Sequence, residues 1–241
     1  MPIARLVVPA LLVALAGCAQ PSSSAPQQTA AAAATNVCTG ATGCARVADV
    51  DIDGDRRADQ VGVASSHLKD GGHITVRVRT ASGLTMQTTG RNVHWFAKPY
   101  VAAAPLDGRA GAEIFVGDTM GAHYEQFRVV TYRGGRLVTL KAPPQVWTER
   151  GMRDATSRWG VDGSYSFNTG VYRRVSAEGV VTVALRTLQR NDSGRRHSGH
   201  ETTYRWQDGA WAKVSSRKLN VADKAAFAVG GWHVPGVPRF V

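Results

Sequence analysis

Helical periodicity is almost missing from this chain. Apart from a short stretch at 221–229, no window carries apolar residues at three- and four-residue spacing, so helical bundles and coiled coils are excluded. Long apolar runs are scarce too. The only one spans 6–16, 11 residues, too short to cross a bilayer as a mature helix. Cysteine is limited to three residues, which excludes a disulfide-dense scaffold and a four-thiolate zinc site. Acidic residues are few, 18 against 29 Lys and Arg, for a formal charge of +11. The usual marks of catalysis are also missing: no Gly-x-Ser-x-Gly, no His-Glu-x-x-His and no phosphate-binding glycine loop. Enzyme activity is not expected on these grounds.

What is present begins at the N-terminus. Arg5, the apolar run 6–16 and the small residues that close it have the form of a secretory signal peptide. Leu15-Ala16-Gly17-Cys18 resembles the lipobox of bacterial lipoproteins. That resemblance implies removal of residues 1–17, acylation of Cys18, and anchoring in the cell membrane on its extracytoplasmic face. A secreted protein cut near Ala16 or Ala19 is the alternative. Residues 18–36 lack charge and periodicity and read as a flexible tether. Residues 37–241 are enough for one domain with a sizeable core, or two small ones.

With Cys18 assigned to lipid, Cys38 and Cys44 remain, spaced C-x5-C. In an oxidising compartment this pair is expected to form a disulfide, since two thiols with no nearby His make a poor zinc site. Its small loop limits the stabilisation to about 2 kcal/mol in the chain-entropy picture. The basic balance favours anionic lipid headgroups or anionic envelope polymers as partners. Nucleic acid is not expected, because the basic residues are scattered and an exported protein seldom meets it. General solubility is the plainer explanation of the charge.

The body of the chain reads as all-β. Residues 73–79 alternate apolar and polar, then turn at Ala81-Ser82-Gly83. Three pairs of short runs face each other across turn sequences: 127–132 with 137–140, 171–175 with 180–185, and 202–206 with 211–215. Antiparallel hairpins are expected at each. Asp-Gly recurs at 53, 107 and 162, a spacing of 54 and then 55 residues. The first two are followed by a carboxylate and an apolar stretch, and the third is a weaker match. Such a period suggests stacked β units, but three are fewer than the usual four blades of a propeller. An incomplete propeller-like arrangement, a barrel and a sandwich all remain open.

The chemically richest motif is Asp51-Ile52-Asp53-Gly54-Asp55-Arg56-Arg57-Ala58-Asp59. Carboxylates stand at positions 1, 3, 5 and 9, and the Arg57 carbonyl at position 7 can add a ligand. Calcium takes six to eight oxygens, which one tight loop can supply. Gly54 permits the sharp turn. Without a cation, the crowded carboxylates would repel one another and raise each other's pKa. The loop is not an EF-hand, because position 12 is Gly62 and a strand follows. Its loop-then-strand pattern resembles the FG-GAP or VCBS-type repeats of integrin-like β-propellers. That resemblance implies one structural Ca2+ held by Asp51, Asp53, Asp55 and Asp59, with Arg57 through its carbonyl. In the second unit Pro105 and Arg109 replace Asp51 and Asp55. Metal binding is not expected there, and Arg109 is expected to pair with Asp107 and Glu113 instead. A solvated acidic turn is the plain alternative for the first loop.

Other residues carry less. His197 and His200 sit in a polar, turn-rich stretch that reads as an exposed loop, a candidate for recognition. Asp118, His123 and Glu125 cluster after a strand but lack a nucleophile. The six Trp are expected mostly in the core or in cross-strand pairs, with Trp206 and Trp211 facing each other over a hairpin. Together these readings describe a lipid-anchored extracytoplasmic protein with an all-β, FG-GAP-like domain that binds a protein or an anionic envelope component. An envelope hydrolase with an unrecognised active site, or a structural lipoprotein without a discrete ligand, are the rivals.

Overall fold

Alternation along the strands decides the layers. In the computed structural model, which describes residues 36–66, 72–91, 98–144, 158–192 and 194–241, strand β3 (His73–Arg79) buries Ile74, Val76 and Val78 and turns its other residues outward. It lies between β2 (Asp59–Ser65) and β4 (Thr85–Arg91), and β1 (Cys44–Val50) pairs the far edge of β2. All three pairings are antiparallel, so the first sheet is a four-stranded meander. The signal peptide 1–17, Cys18 and all of the tether 18–36 except Asn36 fall outside the described residues, as do Trp95 and Trp147. Thr35–Val241 forms one compact unit.

The same order recurs twice. The second unit runs β5 (Tyr100–Ala104), β6 (Glu113–Met120), β7 (Tyr124–Arg133) and β8 (Arg136–Thr139), again antiparallel neighbours. The third runs β9 (Trp159–Gly163), β10 (Phe167–Val175), β11 (Val181–Arg190), β12 (Arg196–Gln207) and β13 (Ala210–Ala222). The second and third units merge into one ten-stranded sheet because β7 is shared. Its first half, Tyr124 to Phe127, pairs β9, and its second half, Val130 to Arg133, pairs β8. The four-residue helix α1 (Asp223–Ala226) leads to β14 (Gly231–His233), which pairs β10 in parallel. The protein is therefore all-β with antiparallel sheets, and neither sheet closes on itself among the described residues.

Strand β6 is the keel between two cores. Ile114 and Val116 pack with Ile52, Val61, Val76 and Val130 against the first sheet. Phe115, between them, points the other way, into a core with Phe127, Trp159, Val183 and Trp232. A strand buried on both faces reads as a continuous apolar run rather than an alternation, as Ile114-Phe115-Val116 does. Trp232 meets Phe115 and Phe127 edge-on at 5.0 and 5.3 Å, so the short strand β14 fills the centre of that core. Each such apolar side chain contributes about 1.5–3 kcal/mol by leaving water.

The four expected strand patterns fall on strands, with Leu140 just past β8 and Val180 just before β11, and the His197–His200 stretch corrects its expectation. It belongs to β12, paired on both sides with β11 and β13. His197 is fully buried, with Nε2 3.1 Å from the Tyr165 carbonyl and Nδ1 3.1 Å from Asp223. The polar composition hides a strand whose inner residues pack beneath α1; the turn falls earlier, where the Gly194 N–H donates to the Asn191 carbonyl at 2.8 Å.

Candidate metal centre

The loop 51–58 joins β1 to β2, and its backbone folds around its own carboxylates. Asp51 accepts the Gly54 N–H at 2.7 Å on one oxygen and the Arg56 N–H at 2.8 Å on the other. Asp59, fully buried at the start of β2, accepts Ile52 N–H at 2.8 Å, Asp53 N–H at 3.2 Å and Ala81 N–H at 2.8 Å. Asp53 accepts the Asp55 N–H at 3.1 Å. The sharp turn takes two left-handed residues, Gly54 at φ 87° and Arg56 at φ 67°. Glycine is required at 54, since a Cβ there would stand 2.7 Å from the Ala110 Cβ.

These constraints bring Asp51, Asp53 and Asp59 together, with one oxygen of each within 4.8 Å of the others. Among the described residues no Lys or Arg makes an ion pair with any of the three. The Asp53 carboxyl is held above the usual carboxylate range, first by burial and then by the charges of Asp59, Asp55 and Asp51, against the opposing Asp55 N–H. Three hard oxygen donors facing one point, uncompensated by a side-chain cation, fit a metal ion. Asp55 stands outside the group of three and accepts the Arg57 N–H at 2.7 Å. The Arg57 guanidinium turns away to the Ala81 carbonyl at 3.3 Å.

Cys38 and Cys44 form a disulfide that lies on β2. A Cβ on Gly62 would come within 3.0 Å of both sulfurs and of Val37. Gly62 is the position where an EF-hand carries its bidentate glutamate. Here the disulfide packs against the backbone at 62 and leaves little room for a side chain.

The second loop repeats the first with a different solution. Arg109 N–H donates to Asp107 at 2.9 Å, as Asp55 does to Asp53. Leu106 N–H donates to Glu113 at 2.6 Å, as Ile52 does to Asp59. The cation is supplied by Arg133, from the end of β7, which pairs Asp107 and stands 3.7 Å from Glu113. This corrects the expectation for Arg109, whose side chain is exposed and makes no ion pair among the described residues. Burial and Asp107 raise the Glu113 carboxyl to about 7, against the opposing Leu106 N–H, Thr131 hydroxyl and Arg133. The two loops also touch: Ala112 N–H donates to the Asp51 carbonyl at 2.8 Å, and Gly111 (φ 90°) leaves no room for a Cβ beside the Ile52 carbonyl.

The third unit keeps more of the pattern than its sequence suggests. Asp162 accepts the Ser164 N–H at 2.8 Å, the same two-residue turn as at Asp53 and Asp107. Asn168 stands where Asp59 and Glu113 stand, fully buried at the start of its strand. Asp162 takes its partner from His123, Nδ1 at 3.1 Å. Asp118 pairs with Arg158, and Glu125 accepts the Val241 N–H at 3.0 Å, so Asp118, His123 and Glu125 each engage a different partner. Arg133 and Asn168 escaped the sequence reading. The six-residue step from each Asp-Gly aspartate to a buried polar residue, at 59, 113 and 168, was the available signal.

No protein-family model, curated protein or solved structure matches this chain.

Proposed function

We propose that this protein is a lipid-anchored extracytoplasmic lipoprotein whose calcium-stabilised, FG-GAP-like β-domain is a binding module for a protein or an anionic envelope component. The observation that carries the reading is the convergence of Asp51, Asp53 and Asp59, with no opposing side-chain cation among the described residues. Calcium suits an all-oxygen site outside the cell, where affinities of about 10⁻⁴–10⁻³ M are sufficient. Asp55 and the Arg57 carbonyl complete the proposed ligand set. The ion's part is structural: it offsets the crowded charge and holds the β1–β2 loop against the second loop. The Cys38–Cys44 disulfide supports an oxidising compartment, and the lipobox-like Leu15-Ala16-Gly17-Cys18 supports the anchor.

A second reading, an envelope hydrolase, draws on one pair: His123, half-exposed, held by the buried Asp162. A His oriented by a carboxylate is a general base in search of a nucleophile, and no Ser, Thr or Cys donates to or accepts from its ring among the described residues.

Fractionation tests the reading. The full chain is expected in the membrane fraction, and Cys18→Ala in the soluble fraction. The soluble Cys18→Ala protein is then expected to co-sediment with isolated cell envelopes. Membrane retention of the variant overturns the lipid anchor, and failure to co-sediment overturns the binding module.

A further inference from the structure

A cleft of about 610 Å³ opens between the chain around β8 and the β12–β13 hairpin. This size lies within the range of small-ligand sites. Trp206 and Trp211 form one wall. They are direct cross-strand partners, 5.1 Å apart and edge-on, over a turn with Asp208 and Gly209 both left-handed. That turn type matches the twist of the strands and fixes the hairpin. Trp211 is tied down twice, by its N–H on the Lys141 carbonyl at 2.7 Å and by contact with the core residue Trp159. Arg109, Arg133 and Lys141 also line the cleft. Arg133 is spent on Asp107 and Glu113, whereas Arg109 and Lys141 are exposed and make no ion pair among the described residues. A second cleft of about 410 Å³ shares Arg109 and Arg133 with it and is also lined by Tyr132 and Asp53.

We infer that this groove binds an acidic oligosaccharide, with sugar rings against Trp206 and Trp211 and acidic groups on Arg109 and Lys141. Rigid aromatics offer apolar surface to the C–H face of a sugar at little entropic cost. Two cations that make no ion pair among the described residues, on a chain of formal charge +11, favour acidic over neutral sugars. The inference rests on the binding-module reading and specifies its ligand and its surface.

The test is a tryptophan-fluorescence titration of the purified full chain in detergent. The acidic probes are an oligogalacturonate and a phosphorylated oligomannoside, which separate a carboxylate source from a phosphate source. A neutral oligoglucoside and a single-stranded oligodeoxynucleotide are the counter-probes. Saturable binding of at least one acidic probe is expected, with both counter-probes weaker. Arg109→Glu with Lys141→Glu should weaken it roughly ten- to thirtyfold, the loss of two solvent-exposed charge contacts and their reversal. Lys218→Glu with Lys224→Glu, the same charge change outside the cleft, should leave affinity within about twofold. Trp206→Ala should weaken binding while thermal unfolding, measured alongside, shows the variant folded. Equal losses in both charge-reversed pairs would reduce the effect to overall charge and overturn the site. So would absence of saturable binding, or equal or tighter binding of either counter-probe. The outcomes stay separable from the broader reading. If the soluble Cys18→Ala protein co-sediments with envelopes equally with and without the Arg109 and Lys141 reversals, the cleft assignment falls and the binding module stands. If the soluble Cys18→Ala protein does not co-sediment, the module itself falls.

Discussion

The loops at 51–59 and 105–113 hold their backbones with the same two hydrogen bonds and neutralise their carboxylates by different means. In the second, Arg133 pairs Asp107 and approaches Glu113 from the end of β7. In the first, no side-chain cation among the described residues reaches Asp51, Asp53 or Asp59. A guanidinium built into the strand gives a loop that is complete in any medium. A loop left with excess negative charge can take its cation from the medium. The comparison explains why two carboxylates were exchangeable for Pro105 and Arg109 in one unit while Asp51 and Asp55 accompany the other. It also implies opposite responses to the same perturbations.

The largest expected effect is on the second loop. Arg133→Ala leaves Asp107 and Glu113 buried without their cation, which should cost about 3–5 kcal/mol in denaturant unfolding. Adding Asp107→Asn and Glu113→Gln to that variant should recover much of the loss. A cost for Arg133→Ala below about 1 kcal/mol would mean that the guanidinium is not what holds the loop.

A smaller effect is the pH dependence that the second loop adds. The Glu113 carboxyl sits near 7 in the folded protein, above its usual 4.5, chiefly through burial and Asp107. The folded state therefore binds this proton more tightly than the unfolded state. The stability it contributes is present below about 4.5 and is lost as pH rises through about 7. Glu201 acts in the opposite sense: the hydrogen bonds of Arg174, Arg217 and Arg186 outweigh burial and depress its carboxyl, so its contribution disappears on acidification. The difference between wild-type and Glu113→Gln stability profiles isolates the first group. It should change steadily between pH 4.5 and 7, and a flat difference would contradict the raised carboxyl.

Much of the architecture was legible because it is local. The alternation at 73–79, the glycine turns of the hairpins and the C-x5-C disulfide each depend on residues close in sequence. So does the meeting of Asp51, Asp53 and Asp59, since one turn contains them. What escaped depends on distance. Arg133 lies 26 residues from Asp107, and only the β6–β7 pairing carries it there, whereas Arg109 is adjacent in sequence and points to solvent. His197 looked like loop because its neighbours are polar, and the strand is set by its partners on both sides. Asn168 was hidden because it replaces a carboxylate, and only its burial at the same step reveals the third unit.

The most direct measurement is unfolding of the full chain in detergent with millimolar calcium and with chelator, for wild type and for Asp53→Asn with Asp55→Asn. At 100 times the dissociation constant a single site adds about 2.7 kcal/mol, a shift of several degrees for a domain of this size. Wild type should gain that stability in calcium, and the double variant should not. Equal unfolding of wild type in calcium and chelator would contradict the metal site and leave the first loop as an acidic turn held by its own backbone.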